Sequence, residues 1–377
     1  MGTFNGMLNT NKVFAALFNM IISQQVFADN IADTKITLAD MSRVDGTMYG
    51  DTKLYYSTDV LGSVEWTGDN EAANLLELHR PEAPECQAIS ISLFRMIPLT
   101  VDNYLSKQAW ATEGAFDSFN SQMLAWMRDT KKVYDATLFN SYVGTTQSLV
   151  GKQTVNINTG SEPVGDSDLE LEAYNRLYAM RIGQGMADLL VDLEDISRDY
   201  NDYGNLRSLN ASDLVFVWNA DVVNKIRKVD LPTIFNKEGI VDKFAEHTLP
   251  ARYFGNVKTA DGTTSGSNIV TRSLIEKDYN TVKPNQSGYN AKLHVFPGDL
   301  LPPNQSYNAY EAYDEDPSII CKIYHKRSVP FMTGFETGSE FFNPRSLTQT
   351  HYLIWGYNPL EYLKNYPFIT VKAQPAD

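Results

Sequence analysis

Asp199, Asn201 and Gly204 match three positions of a calcium-binding loop, in which short oxygen-bearing side chains surround a hard cation and a glycine makes the sharp turn. Tyr203 stands at the fifth position, however, and Asn210 occupies the place of the bidentate glutamate, so the stretch reads as a solvated turn after a helix. Asp314, Glu315 and Asp316 could hold a hard cation, but consecutive acids usually face solvent. His79, His247, His294, His325 and His351 show no paired spacing of the zinc-protease kind and read as structural. Gly183-Gln184-Gly185 opens like a dinucleotide fingerprint, yet it lies inside a helical pattern without the preceding strand or the third glycine. There is no Gly-x-Ser-x-Gly and no Walker-type loop. A carboxylate pair for glycoside hydrolysis is defined by distance in space, and with 46 acids no pair stands out. No catalytic constellation, metal site or cofactor site emerges, which shifts weight from an enzyme toward a structural protein.

The elements that would have to position such residues are more informative. Ile89, Ile91, Leu93, Ile97, Leu99 and Val101 fall on one face as in a half-buried strand, interrupted once by Arg95, with Ser90, Ser92 and Thr100 on the other face and Phe94, Met96 and Pro98 blurring its middle. Pro98 within this run points to an edge position or a bulge. After a break at Asp102 to Trp110, apolar residues recur in steps of three and four at Phe116, Phe119, Met123, Trp126, Met127, Tyr134 and Leu138. No proline or glycine interrupts Ala115 to Val143, so one helix of roughly 40 Å is expected, ending at Gly144 with a left-handed residue. A second helix is predicted from Leu169 to Arg198, with Gly183 and Gly185 placed to bend it. Asp213 to Trp218 reads as a buried strand, and Asn219 as the cap of a short helix continuing to about Lys228. Lys53 to Ser57 and Leu61 to Trp66 are short strand candidates on either limb of a long hairpin-like excursion. Apolar strand-like runs return at Ile319 to Tyr324 and His351 to Trp355.

Composition bounds the class. With 377 residues, 43% hydrophobic and 21% charged, the chain can bury a large core in two or three domains. Two distant cysteines, Cys86 and Cys321, exclude a disulfide scaffold and fit a reducing compartment. A net charge of minus 14 argues against sequence-reading DNA binding, and no run is long and apolar enough for a membrane span. The 21 tyrosines and 18 phenylalanines suit either a glycan-binding surface or a wide protein interface.

The N-terminus imitates a signal peptide, from Lys12 through Val13 to Ile22 and then Val26-Phe27-Ala28. Asn19 breaks the apolar region, and no positive charge precedes Lys12. Phe14, Leu17, Phe18 and Ile21 instead make the apolar face of an amphipathic arm that would lie on a partner. Export remains the alternative, and with it a glycan-binding or glycan-hydrolysing protein.

In order, these elements resemble the major capsid protein of tailed double-stranded DNA bacteriophages. The resemblance is carried by Ile89 to Val101 with Phe116 to Leu138, and by Leu214 to Asn219 followed by Asp221 to Lys228. Lys228 to Pro232 is similar to the capsid proteins of small, short-tailed, phi29-like phages. The resemblance implies an α+β fold with an N-arm, an extended β-hairpin E-loop, a long spine helix, a peripheral domain and an axial domain. It divides the chain into an N-terminal arm at residues 1–45, the E-loop and its flanking strands at 46–100, and a peripheral domain with the spine helix at 101–164. An axial domain at 165–340 and C-terminal strands returning to the peripheral domain at 341–377 complete it.

What it implies of function is a virion protein, made late, that self-assembles as hexamers and pentamers into an icosahedral shell in the host cytoplasm. Its partners would be copies of itself, scaffolding and portal proteins, and packaged double-stranded DNA bound without sequence specificity. Tyr55, Tyr56, Trp66 and Asp69 are then expected on the E-loop, where it meets a neighbouring copy. Phe116 to Leu138 are expected in spine-helix packing, and Phe14 to Ile21 in the packing of the arm. No membrane, metal or cofactor is implied.

Overall fold

The computed structural model describes residues 37–46, 52–63, 78, 80–102, 113–148, 150–163, 168–227, 247–258, 264–265 and 313–374. Outside the described residues lie Phe14, Leu17, Phe18 and Ile21 of the arm, Trp66 and Asp69, His79, His294, and Lys228 to Pro232. The chain forms two compact units, the described parts of the first being residue 37 and residues 95–102, 113–135 and 336–355.

The elements are α1 (Thr37–Met41), β1 (Arg43–Asp45), β2 (Thr52–Ser57), β3 (Glu85–Ser90), β4 (Leu93–Asp102), α2 (Glu113–Thr145), β5 (Thr154–Asn158), α3 (Asp168–Glu194) and β6 (Leu214–Asn219). They continue with α4 (Ala220–Arg227), β7 (Thr248–Leu249), β8 (Gly255–Lys258), β9 (Thr264–Ser265), β10 (Tyr313–Glu315), β11 (Ile319–His325), β12 (Phe331–Asn343), β13 (Thr348–Tyr357) and β14 (Phe368–Gln374).

In the first unit β13 runs between β12 and β4, which puts β4 and its Pro98 at a sheet edge, where a missing ladder donor costs least. The helix is joined to this sheet by alternating cations and rings. Lys131 pairs with Glu336 at 2.5 Å and lies 5.9 Å from the Trp355 ring centroid. Tyr134 meets Trp355 edge-on at 5.8 Å, and the Arg95 guanidinium sits 5.3 Å over Tyr134. The charged residue that breaks the apolar face of β4 is thus placed on an aromatic ring.

In the second unit a five-stranded sheet has the order β5-β14-β11-β6-β7. β11 is antiparallel to both β14 and β6, while β5 and β7 join in parallel at the edges. Every residue of β6 is buried, so its continuous apolar run reflects burial on both faces. Helices α3 and α4 complete the main core through Ile182, Met186, Leu189, Val222 and Ile226. The Asn219 side chain accepts the Asp221 amide at 3.1 Å as the cap of α4 and also donates to the Ile319 carbonyl at 3.0 Å.

The last part of α2, from residue 135 to 145, is buried on all sides. Its polar residues therefore bond back onto the helix, Ser141 to the Thr137 carbonyl at 2.6 Å and Thr145 to the Ser141 carbonyl at 2.7 Å.

Four expectations are corrected in detail. The run Cys86 to Val101 is two strands, β3 and β4, broken at Ile91 and Ser92. Helix α3 ends at Glu194 rather than near Asp199, and Leu61, Gly62 and Ser63 are not in a strand. Gly144 is not left-handed, because α2 continues through Thr145; among the described residues only Gly160, Gly204 and Leu347 have positive φ.

Candidate functional site

The hairpin of β2 and β3 pairs Thr52 with Ser90 through Ser57 with Glu85. Two strands alone are marginal in water, so this arm depends on what holds its base. Alternation sends Tyr55 inward, where Ile89, Ile91, Met332 and Leu363 form a small apolar cluster around it, and burial raises its phenol pKa. The next residue, Tyr56, points out and is 64% exposed, as are Leu54, Val60 and Leu61 to similar extents.

Where the chain leaves β2 for the excursion between β2 and β3 lies a dense polar root. The Ser57 hydroxyl, buried, donates to the Asn365 side chain at 2.6 Å and accepts from Asn205 at 2.9 Å and from Arg207 at 3.0 Å. One donor and two acceptor positions are then all in use. Arg207 also donates to the Thr58 carbonyl at 2.7 Å and to Asn365 at 3.0 Å. Asp59 accepts the Leu206 amide at 2.9 Å and the Arg198 guanidinium at 2.5 Å, and these two bonds hold its carboxyl down at about 2. On the β3 side, Gln87 bonds the Tyr362 carbonyl and the Lys364 amide.

The loop that supplies these partners is the stretch with the calcium-like spacing. Asn201 is buried and bonds both the amide and the carbonyl of Asn205, and Gly204 adopts φ 70° to turn the chain. Asp199 is taken by Lys152 at 2.6 Å. Asp202 accepts from Tyr362, Gln153 and Ser148. The oxygen ligands a cation would need are thus spent on shaping this loop and tying it to neighbouring segments, which leaves Asn205 and Arg207 placed to hold the hairpin. In the Asp314 to Asp316 run, Asp316 is similarly committed, capping Ser318 and pairing with Lys372 at 2.9 Å, while the side chains of Asp314 and Glu315 lie outside the described residues. Among the described residues no group of three or more His, Cys, Asp or Glu could hold a metal. No helix there is long and apolar enough to cross a membrane.

The expected spine residues divide along α2. Met127 and Leu138 are buried and Tyr134 makes the ring contacts described above, whereas Trp126 is 40% exposed. The side chains of Phe116, Phe119 and Met123 lie outside the described residues. Sequence reading missed Ser57, Asn205, Arg207, Tyr362 and Asn365. Only the Asp199 to Gly204 turn carried a local signal, and it pointed to a cation.

Replacing Arg207 with Gln would leave Ser57, Asn365 and the Thr58 carbonyl short of donors. A loss of about 1.4 kcal/mol there should raise amide hydrogen exchange at Tyr55 and Tyr56 about tenfold with little change at β6. Equal exchange in both proteins would show that the root does not hold the arm.

A family model described as Phi29-like phage major capsid protein matches residues 5–356. A comparison with curated proteins found no match. Among solved structures, the chain is similar to one in the capsid structure of Staphylococcus phage Andhra, with a TM-score of 0.58, 10% identity, and coverage of 89% of this chain and 83% of that one. It is also similar to a chain in the structure of the head fiber and inner core protein gp22 of native bacteriophage P68, with a TM-score of 0.55, 12% identity, and coverage of 88% and 83%. At such identities the structures show a shared fold, and the family match carries the identity. That match leaves the exported glycan-binding or glycan-hydrolysing alternative unsupported. The fold is α+β of the tailed-phage capsid kind, the role is structural rather than enzymatic, and the chain belongs to the Phi29-like phage major capsid protein family.

Proposed function

We propose that this capsid protein builds its shell as hexamers and pentamers, with the β2–β3 hairpin as an arm laid across a neighbouring copy. The observation that carries this is the contrast within the hairpin: a root fixed by Ser57, Asp59 and Arg207, and an outer face on which Tyr56 and Leu54 have no core to join. Closed shells need heterologous contacts whose rotation closes, and a rigid arm with an aromatic face suits such a contact.

Tyr56 is the anchor on the described part of the arm, with Trp66 and Asp69 beyond it. Residues 1–45 would lace copies together through Phe14, Leu17, Phe18 and Ile21, and 46–100 would be the E-loop with its flanking strands. The peripheral domain would comprise 101–164 and the returning strands 341–377, and the axial domain 165–340. Scaffolding and portal proteins complete the partner set, with assembly in the host cytoplasm. The net charge of minus 14 suits a wall that encloses double-stranded DNA without gripping it. Tight DNA binding by isolated copies of the chain would contradict that.

Deleting Gly62 to Ala73 tests the arm. The variant should keep the wild-type circular dichroism and urea midpoint, while light scattering and electron microscopy show no shells or capsomers where the wild type forms them. Loss of folding, or normal shells, would overturn the assignment.

A further inference from the structure

Helix α3 is apolar on two opposite sides. One side, with Tyr178, Ala179, Ile182, Met186, Leu189 and Leu193, is buried in the core of the second unit. At about 100° per residue, Leu169, Ala173, Leu177 and Met180 fall on a second stripe, centred roughly 180° from the first, which ends where Gln184 and Asp188 follow. This stripe is open: Leu169 is 79% exposed, Leu177 41% and Met180 53%. Its first turns line a shallow groove of about 400 Å³ together with Glu172 and Arg176.

Single exposed apolar residues are ordinary, but an aligned stripe opposite the buried face is not the pattern of a helix whose outer side meets water. What covers it must suit three properties. The chain belongs to a family whose members exist as a shell, so a second copy is always present at high local concentration. Each copy carries a net charge of minus 14, and like-charged copies approach best through faces that are locally neutral. The stripe meets that condition, because Glu170 and Glu172 beside it are balanced by Arg176 and Arg181, with Glu172 and Arg176 one turn apart and 4.0 Å from each other. The third property is size. A stripe about 17 Å long and 10 Å wide offers roughly 170 Å², about a fifth of the 800 Å² or so that each partner gives to a stable interface. It is too small to hold a free dimer and of the right size for one contact among several in a closed assembly.

We propose that the outer face of α3 packs against a second copy of this chain in the assembled shell, with Leu177 and Met180 at the centre of the contact. This rests on the capsid reading and names a surface separate from the hairpin arm.

The test is the double variant Leu177→Asp with Met180→Asp in the full chain, compared with the wild type and with the hairpin deletion. Both side chains are exposed, so folding and the urea midpoint should be unchanged, while the yield of shells falls at least about tenfold. In wild-type shells, a benzophenone amino acid in place of Ala173 should crosslink one copy to another. Normal shell yield from the double variant would overturn the proposal while leaving the capsid reading intact. A crosslink confined within one chain would overturn it in favour of the chain's own residues covering the stripe. Unchanged assembly alone, with loss only of stimulation by an added scaffolding protein, would overturn it in favour of that protein. A wild-type chain that assembles under no condition would overturn both readings.

Discussion

Replacing Gly144 with Ala should destabilise the second unit by about 3 kcal/mol or more, although alanine is the better helix former by about 1 kcal/mol. The reason is a close backbone approach. A Cβ at residue 144 would stand 2.0 Å from the carbonyl oxygen of Tyr253 and 2.7 Å from its carbon. Neither atom belongs to a side chain that could rotate away. The Tyr253 segment is itself held, since Pro250 and Ala251 carbonyls accept the next amides of its turn and the Phe254 carbonyl accepts the Asp316 amide at 3.0 Å. Relief would require pushing this segment off the end of α2 and pulling buried Phe254 with it. Gly151→Ala is the matched control, because nothing lies within 4 Å of a Cβ there. Urea unfolding of both variants checks the expectation. A Gly144→Ala midpoint equal to wild type would mean that the approach relaxes at no cost.

The same glycine shows where sequence reading works and where it stops. The helix before it was legible, and its observed bounds of Glu113 and Thr145 lie within two residues of those expected from periodicity. The role of Gly144 was not, because left-handed ends and close approaches both select glycine and differ only in what stands opposite. The break between β3 and β4 was hidden for a related reason. Side-chain alternation continues through Ile91, which is buried against Met332, so the period never falters. What changes at the break is the partner strand, β2 for β3 and β13 for β4. Partner choice is a long-range property that alternation does not encode.

The hairpin root illustrates the limit most fully. Ser57, Asn205, Arg207 and Asn365 come from three distant parts of the chain, and each is an unremarkable polar residue in its own neighbourhood. The turn at Asn201 to Gly204 had a local pattern because tight turns and cation loops draw on the same short oxygen-bearing side chains and glycine. Only the structure shows those oxygens pointing at amides and side-chain donors. The alternation of Tyr55 and Tyr56 was legible as a strand, whereas which of the two faced inward depended on Met332 and Leu363, nearly three hundred residues away.

Lys322 should make the stability of the protein rise by about 1 kcal/mol between pH 7 and 8, and Lys322→Met should remove most of that rise. The residue lies in β11 and is fully buried, donating to the Thr146 carbonyl at 2.9 Å and the Thr370 hydroxyl at 2.8 Å. Burial pushes its pKa down to about 7, and the nearby Lys372 adds to the shift, against the opposing pull of Asp316 and Cys321. In the unfolded chain the same amine titrates near 10.4. Between those values the unfolded state holds a proton that the folded state lacks, so raising the pH favours folding. Other groups bound this window. His325 is shifted below 6.5, so its stabilising contribution grows only while the unfolded imidazole still loses protons and is nearly complete above pH 7. Cys321 is shifted upward by burial and makes stability fall from about pH 8, as the unfolded thiol releases a proton that the folded one keeps, and Tyr324 does the same from about pH 9. The two hydrogen bonds do not distinguish the states, because a neutral amine still donates twice. The charge alone is lost, leaving the end of α2 joined to the sheet at either pH while the cost of burying an ammonium disappears. Urea unfolding at pH 7, 7.5 and 8 should therefore give three separated curves for the wild type and nearly superimposed curves for Lys322→Met. Parallel rises in both proteins would assign the effect to another group.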